Sequence, residues 1–484
     1  MSFLSDDEEK IVAELTTRID RRAARYELLD DVYEGLQQLE IMGIAVPPEL
    51  HSFTFPFEWP RTCVDANVHR MDVKGFLVSG EVDSNKELQE LWDVNDLEAH
   101  SELVHNEALV QGLSFVSVGT NPDNRDEPFI TPESSRYIAL STDPRTNKTK
   151  AGLRLYASSD ELGAPVDAGA LYLPDETVWY QKTSQGFEVI ERDQHRSGFV
   201  PLVPFINRRR LGASRRDWRG NWREAMWGQS EMAPVIQPTV MAAGVVVALR
   251  LGVEISAVPR AVLRGVNKQM TDQNGELISG LEAYMQSMWV IPGEGTVQSI
   301  APADLSNFTG VITALAQQAA SASFLPWEYF GLHTGNPASA EAIVANETRL
   351  AKLVERRNRV FGAAWGNVLA MAESMRGKQI LGNRVLTQWH DPGTPTFSQK
   401  ADGIQKLAGG QAILSREGAW DEMGFSPERK EREREYFRQE LGELNTLGDP
   451  TRSNFNQDLP QVEVPEPEQV TDPTMGGLLL GKAA

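Results

Sequence analysis

Phe324-Leu325-Pro326-Trp327-Glu328-Tyr329-Phe330-Gly331, a turn through Gly335-Asn336-Pro337, and the run from Ala338-Ser339-Ala340-Glu341 to Met375 decide the reading of this chain. A short aromatic loop feeds one long helix. Asn336 has the side chain of an N-cap, and Pro337 suits the first helical position, where its missing N–H costs nothing. Ile343, Leu350, Val354, Phe361, Trp365, Val368 and Ala372 recur at helical spacing as one apolar stripe. Glu347, Lys352, Glu355, Arg356 and Arg359 occupy the other face, with Glu355 and Arg359 spaced to pair. Gly377 ends the helix.

Working outward, 484 residues exceed one compact core, so several modules are expected. One cysteine, Cys63, excludes an internal disulfide framework and suits a reducing compartment. A net charge of -21 repels phosphate backbones and excludes a basic groove that wraps nucleic acid. The start of the chain is acidic, unlike a secretory signal. The apolar run Val240 to Val253 is shorter than the ~20 residues of a membrane span and is broken by Arg250, so it reads as a buried helix.

In order, residues 6–42 read as an amphipathic helix closed by Gly43. Residues 61–70 and 96–111 read as further helices, the latter ended by Gly112. Strands are expected at 73–78, 114–118, 137–141, 152–157, 170–173, 177–182 and 187–191, then an extended Pro-punctuated segment at 198–206. Arg208, Arg209, Arg210, Arg215, Arg216, Arg219 and Arg223, interleaved with Trp218 and Trp222, form the one basic cluster in an acidic chain. It is a candidate contact surface for a phosphate backbone or an acidic neighbour, and equally a solvated loop. Residues 230–257 read as a helix, followed by a small α/β insert with a helix at 277–287, and a returning helix at 304–323. A strand at 385–389, a helical hairpin at 399–423 and a charged, solvated helix at 428–443 complete the ordered part. The Pro-rich acidic tail from residue 444 is expected to be disordered.

No local catalytic motif is found, neither a phosphate-binding loop nor a dinucleotide fingerprint, zinc-binding helix motif or nucleophile elbow, which leaves open a carboxylate pair assembled from distant segments. His100 and His105 are five apart on one expected helix and point to different faces. Asp6-Asp7-Glu8-Glu9 are consecutive and expected to be exposed, unlike an acid/base pair across a cleft. These residues point to a protein that is not an enzyme and needs no cofactor or metal.

Several short motifs, in order, resemble the portal proteins of tailed bacteriophages of the siphophage type. They are Tyr33 with Gly35; Asn67, Met71, Val73 and Gly75-Phe76; Trp92, Asn95 and Leu97; Ala108-Leu109-Val110 with Gly112 and Ser114-Phe115-Val116; and Asp143-Pro144-Arg145. Next come Val203-Pro204-Phe205 with Asn207-Arg208, then Gly228-Gln229-Ser230-Glu231. Leu325-Pro326 to Phe330-Gly331 with Asn336 to Ile343, and Asp402-Gly403, Lys406-Leu407 and Leu414-Ser415, complete the set. The resemblance spans roughly residues 30–440 and leaves the Arg/Trp-rich stretch unplaced.

The resemblance implies an α+β, elongated portal-type subunit with wing, helical stem, small α/β clip and helical crown. The wing would be residues 1–226, the stem helices 227–257 and 302–324, the clip 258–301 and the tunnel loop 325–339. The long wing helix and strand would be 340–398, the crown 399–443 and the disordered tail 444–484. Portals form dodecameric rings, heterologous and closed, in the virion at one capsid vertex, made in the host cytoplasm. The implied partners are the major capsid protein, the terminase large subunit, a head–tail adaptor and double-stranded DNA, with no membrane. DNA would enter during packaging and leave during ejection. Gln317, Gln318, Ser321, Trp327, Glu328, His333, Thr334 and Asn336 are the candidates for the channel and tunnel loop. Competing readings are a nucleic-acid-associated enzyme using the Arg-rich stretch, and a non-portal phage scaffold or adaptor.

Overall fold

The computed structural model describes residues 2–36, 39–40, 52–53, 57–80, 84–143, 145–146, 148–159, 165–209, 215–216, 222–223, 228–257, 261–264, 288–291, 296–299, 306–332, 340–378, 384–393, 397–409, 413–425 and 427–446. The chain divides into two units, Met1–Thr394 and Pro395–Ala484.

The first unit opens with β1 (Ser2–Phe3) and helix α1 (Asp6–Glu34). Ser5 and Glu8 form a capping box at the start of α1, and Gly35, left-handed at φ 70°, ends it. The helix therefore stops at Gly35 rather than at Gly43, because Gly35 takes the αL conformation that closes the last turn. Glu8 is not exposed as expected: it is 8% accessible and accepts two hydrogen bonds from Arg192, at 2.9 and 3.1 Å. Burial works to raise its pKa, but the bonds from Arg192 and Ser5 hold the carboxyl below its ordinary value.

Helix α2 (Trp59–Val68), strand β2 (Val73–Val78) and helices α3 (Lys86–Val94) and α4 (Leu97–Gln111) follow. Sequence reading passed over α3, whose N-cap is Asn85. Next come β3 (Leu113–Gly119), β4 (Phe129–Glu133), β5 (Ile138–Thr142), β6 (Thr149–Ser159), β7 (Pro165–Tyr172), β8 (Thr177–Thr183), β9 (Gly186–Asp193) and β10 (Leu202–Ile206). One sheet has the order β1-β9-β8-β7-β6-β5 and a second the order β10-β3-β4.

The alternation of the strands sorts their side chains by face. Ala139, Ala151, Leu153, Leu171, Val178 and Tyr180 pack against Val12, Leu15 and Ile19 of α1. Ile138, Leu140, Ala170 and Tyr172 point the other way and meet Leu113, Phe115, Leu202 and Ile206 of the second sheet.

Helix α5 (Ala233–Ala257) is followed by a small sheet of β11 (Ala261–Arg264), β12 (Met288–Ile291) and β13 (Thr296–Ser299), ordered β12-β11-β13. The chain returns in α6 (Ser306–Ser323), which packs along α5. A one-turn 3-10 helix at Trp327–Phe330 leads to α7 (Ala340–Met375), and β14 (Val385–Trp389) pairs antiparallel with β2.

The apolar stripe of α7 is the centre of the main core. Leu350, Val354, Phe361, Trp365, Val368 and Ala372 are at most 1% exposed. Around Trp365 stand Trp92 at 4.9 Å and Phe205 at 4.8 Å between ring centroids. The expected Glu355–Arg359 pair does not form: Glu355 bonds Lys352 at 2.7 Å. Glu347 is drawn off the solvent face to Arg70 at 3.0 Å, and Arg70 also reaches Tyr329 and the Pro392 carbonyl.

The second unit holds α8 (Phe397–Ala408), α9 (Arg416–Glu422) and α10 (Pro427–Thr446). Helix α10 is not solvated all round. Phe437 stacks on Trp420 at 5.8 Å, and Arg434 grips Glu417 with two bonds of 2.7 and 2.8 Å. The expected helix at 277–287, the cap at Asn336-Pro337 and most of the expected disordered tail lie outside the described residues.

His105, 1% exposed, accepts a 3.0 Å hydrogen bond on Nε2 from the Trp365 indole. Burial drives its pKa down to about 3. The unfolded chain therefore binds a proton near pH 6.5 that the folded chain refuses until about 3, so stability falls as pH drops through that window. Urea midpoints between pH 7 and 4 are expected to fall less steeply in His105→Gln than in the natural chain.

Candidate functional site at the root of the helical pair

The motif residues Asn67, Gly112, Asn207-Arg208 and Gly228 to Glu231 are scattered over 165 positions of sequence, yet they meet at one place beneath α5. Two backbone segments cross there in contact. Gly112 has φ +88°, and a Cβ added to it would lie 2.8 Å from the Gly228 carbonyl carbon. A Cβ on Gly228 would lie 1.7 Å from the Gly112 oxygen, so no other residue fits the crossing. The backbone closes around it: Asn207 N–H donates to Gly112 O at 3.0 Å, Gln229 N–H to Asn207 O at 3.0 Å and Glu231 N–H to Leu109 O at 2.8 Å.

The crossing carries Glu231 into the interior, where it is 1% exposed. Arg208 approaches Oε1 at 2.5 Å, Arg357 of α7 approaches Oε2 at 2.5 Å, and Asn207 donates to Oε2 at 3.2 Å. Arg357 also donates to Asn67 Oδ1 at 3.0 Å, and Asn67 in turn donates to the Cys63 carbonyl at 2.6 Å. Burial lowers the pKa of Arg357, and the Glu231 carboxylate opposes that shift. Burial also pushes the Cys63 thiol up to about 12, so it stays protonated and behaves as a small apolar group. A buried ion of several kcal/mol desolvation cost is retained here only because it has partners on both oxygens.

Sequence reading placed Arg208 with the basic contact surface. The structure turns it inward to Glu231, whereas Arg209 is exposed. Arg357 and Asn358, 5% and 4% exposed, went unnoticed because they sit beside an apolar stripe in a run of charged residues. The side chains of Arg210, Arg215, Arg216, Arg219 and Arg223 lie outside the described residues; the backbones of 215–216 and 222–223 pair as two short antiparallel strands.

Of the channel candidates, Gln317, Gln318 and Ser321 share one exposed stripe of α6 with Val311 and Ala314. The opposite face, Leu315, Ala316, Ala319 and Ala320, is buried. Trp327 is 42% exposed and donates its indole N–H to Glu328 at 2.6 Å. Leu325 and Phe330 on either side are buried, so this stretch is docked on the body, with Phe330 edge-on to Trp59 at 5.9 Å. His333, Thr334 and Asn336 lie outside the described residues.

Residues 13–233 match a sequence profile described as "Phage portal protein, SPP1 Gp6-like". The chain is 32% identical over 440 residues to the portal protein of Mycobacterium phage L5, and equally to that of Mycobacterium phage D29, covering 87% of this chain and 87% of each relative. Among solved structures it is similar to the neck of a native GTA particle computed with C12 symmetry, at TM-score 0.41 and 14% identity over 77% of this chain and 90% of that one. The neck of an empty GTA particle computed with C6 symmetry matches at TM-score 0.41 and 12% identity, with the same coverage.

Replacing Glu231 with alanine strands Arg357 as an uncompensated buried charge. Thermal unfolding of Glu231→Ala is expected to show a loss of about 3–5 kcal/mol. Arg209→Ala, one residue from the junction but exposed, is expected to stay within about 0.5 kcal/mol of the natural chain.

Proposed function

The chain belongs to the phage portal proteins, and from that premise we propose that copies of it assemble into a closed ring around a DNA channel at one capsid vertex. One observation carries the reading. Helix α5 is long and apolar enough to cross a membrane, yet only 28% of its apolar window Ala233–Arg250 is buried in the single chain. The sequence expectation of a buried helix thus fails for one copy: Met241 and Val253 are 51% and 46% exposed. An apolar face of this length, rooted in a rigid junction and paired with α6, calls for a covering surface. In a cyclic ring the neighbouring copy's helices supply it, as a heterologous contact that closes on itself.

In this reading α5 and α6 are the stem, and the small sheet β11–β13 between them is the clip. The body with α7 is the wing and the second unit the crown. Gln317, Gln318 and Ser321 face the lumen. Amides and a hydroxyl offer passing DNA no cation, so no counterions are released and the duplex slides without being held. The acidic balance of the whole chain works in the same direction. A ring of twelve copies is the expected assembly, with the major capsid protein, the terminase large subunit and a head–tail adaptor as partners. It would pass DNA inward at packaging and outward at ejection. The role is structural and the protein is a capsid component.

Negative-stain images of the purified chain, beside its mass in solution, are expected to show rings with a central hole. The double substitution Met241→Glu with Val253→Glu is expected to leave single chains with unchanged far-UV circular dichroism. A uniform monomer of the natural chain at several concentrations and salts would overturn the reading.

A further inference from the structure

The second face of the six-stranded sheet is covered unevenly. Its apolar half lies under β3 and β10, through Leu113, Phe115, Leu202 and Ile206. Its polar half lines a cleft of about 660 Å³. On that wall Trp179 of β8 stands in register with Glu191 of β9, and Thr177 with Asp193. All four residues line the cleft. Side chains directly opposed on one face of an antiparallel pair have Cβ atoms about 4.5–5.5 Å apart. One indole and two carboxylates are therefore within the span of a single long side chain.

The charges around this block leave the carboxylates available. Arg154, also in the lining, is taken by Glu133 at 2.8 Å. His195 is held below its usual pKa chiefly by burial, so it is neutral at pH 7. Arg125 is the remaining cation of the lining. Asp193 accepts from Thr120 at 2.5 Å through Oδ2, while Glu191 is exposed and forms no ion pair among the described residues.

We propose that this cleft receives an arginine side chain from the 208–223 stretch of a second copy of the chain, its guanidinium over Trp179 and bonded by Glu191 and Asp193. Tryptophan is the best aromatic acceptor for a cation, and the planar guanidinium matches carboxylates in pairs. Beyond Arg208, which Glu231 holds, the stretch supplies six arginines against one acid, Asp217, in a chain of net charge -21. Such a segment is drawn to acidic surface, and a second copy presents the same carboxylates to it. Only the source of the arginine rests on the self-assembly reading; the chemistry of the cleft stands without it.

The test uses the full-length chain and a fluorescein-labelled peptide of residues 207–224, followed by fluorescence polarisation. Binding is expected to weaken with salt. It is expected to fall about tenfold with Glu191→Gln plus Asp193→Asn, both at partly or fully exposed positions that leave the fold intact. A peptide with every arginine replaced by glutamine is expected not to bind. Equal binding by the double variant, or by the glutamine peptide, overturns the proposal whether or not rings are seen. In the assembled protein, a photo-crosslinking residue at Gln194 is read by mass spectrometry in a mixture of isotope-labelled and unlabelled chains. Crosslinks of mixed isotope to residues 208–223 are expected. Same-isotope crosslinks alone, or none to this stretch, overturn the second-copy assignment.

Discussion

Glu231, buried between Arg208 and Arg357, holds the helical pair to the body of this protein. A carboxylate taken out of water costs several kcal/mol, which the two arginines and Asn207 offset only while their geometry is kept. That geometry comes from backbone: Gly112 and Gly228 cross too closely for any side chain, and three main-chain hydrogen bonds lock the crossing. The residue after α4, the end of β10, the entry to α5 and the middle of α7 are thereby tied at one point. Helix α5 leaves the body from a rigid anchor rather than a flexible linker.

From that anchor outward, the chemistry changes. Inside the body, aromatic rings pack edge to face around Trp365, and polar groups such as His105 are kept neutral. Along α5 and α6, small and apolar residues pack the two helices together and leave much of their outer surface uncovered. A body with a filled core and a helical pair with an unfilled one is the arrangement expected of a subunit whose last layer of core is another copy of itself. Rigidity at the root gives each copy the same helix direction, which the proposed ring requires.

Where periodicity or a specific backbone residue carried the signal, the elements were readable from sequence. The stripe of α7, the strands 73–78 and 385–389, and the returning helices either side of the small sheet follow from spacing alone. The long first helix was overextended because its apolar repeat continues past Gly35, and only the αL turn at that glycine stops it. Helix α3 was missed although Leu88, Leu91 and Trp92 share its buried face, because its nine residues are shorter than the window over which helical spacing is read. The acidic run at 6–9 looked solvated, yet Glu8 is buried because Arg192, far along the chain, folds over it.

The sequence by itself determined the family and the succession of the long helices, because those reside in local pattern and motif order. Only the tertiary structure decided which charges are inside. Arg208, Arg357 and Glu231 read as surface residues in any window of the chain, since burial of an ion depends on partners brought together by the fold, Arg208 from 23 residues before Glu231 and Arg357 from 126 residues after it. In the same way, α5 read as a buried helix, and three dimensions show that one chain alone does not bury it. Its hydrophobicity is a property of sequence; what covers it is a property of packing.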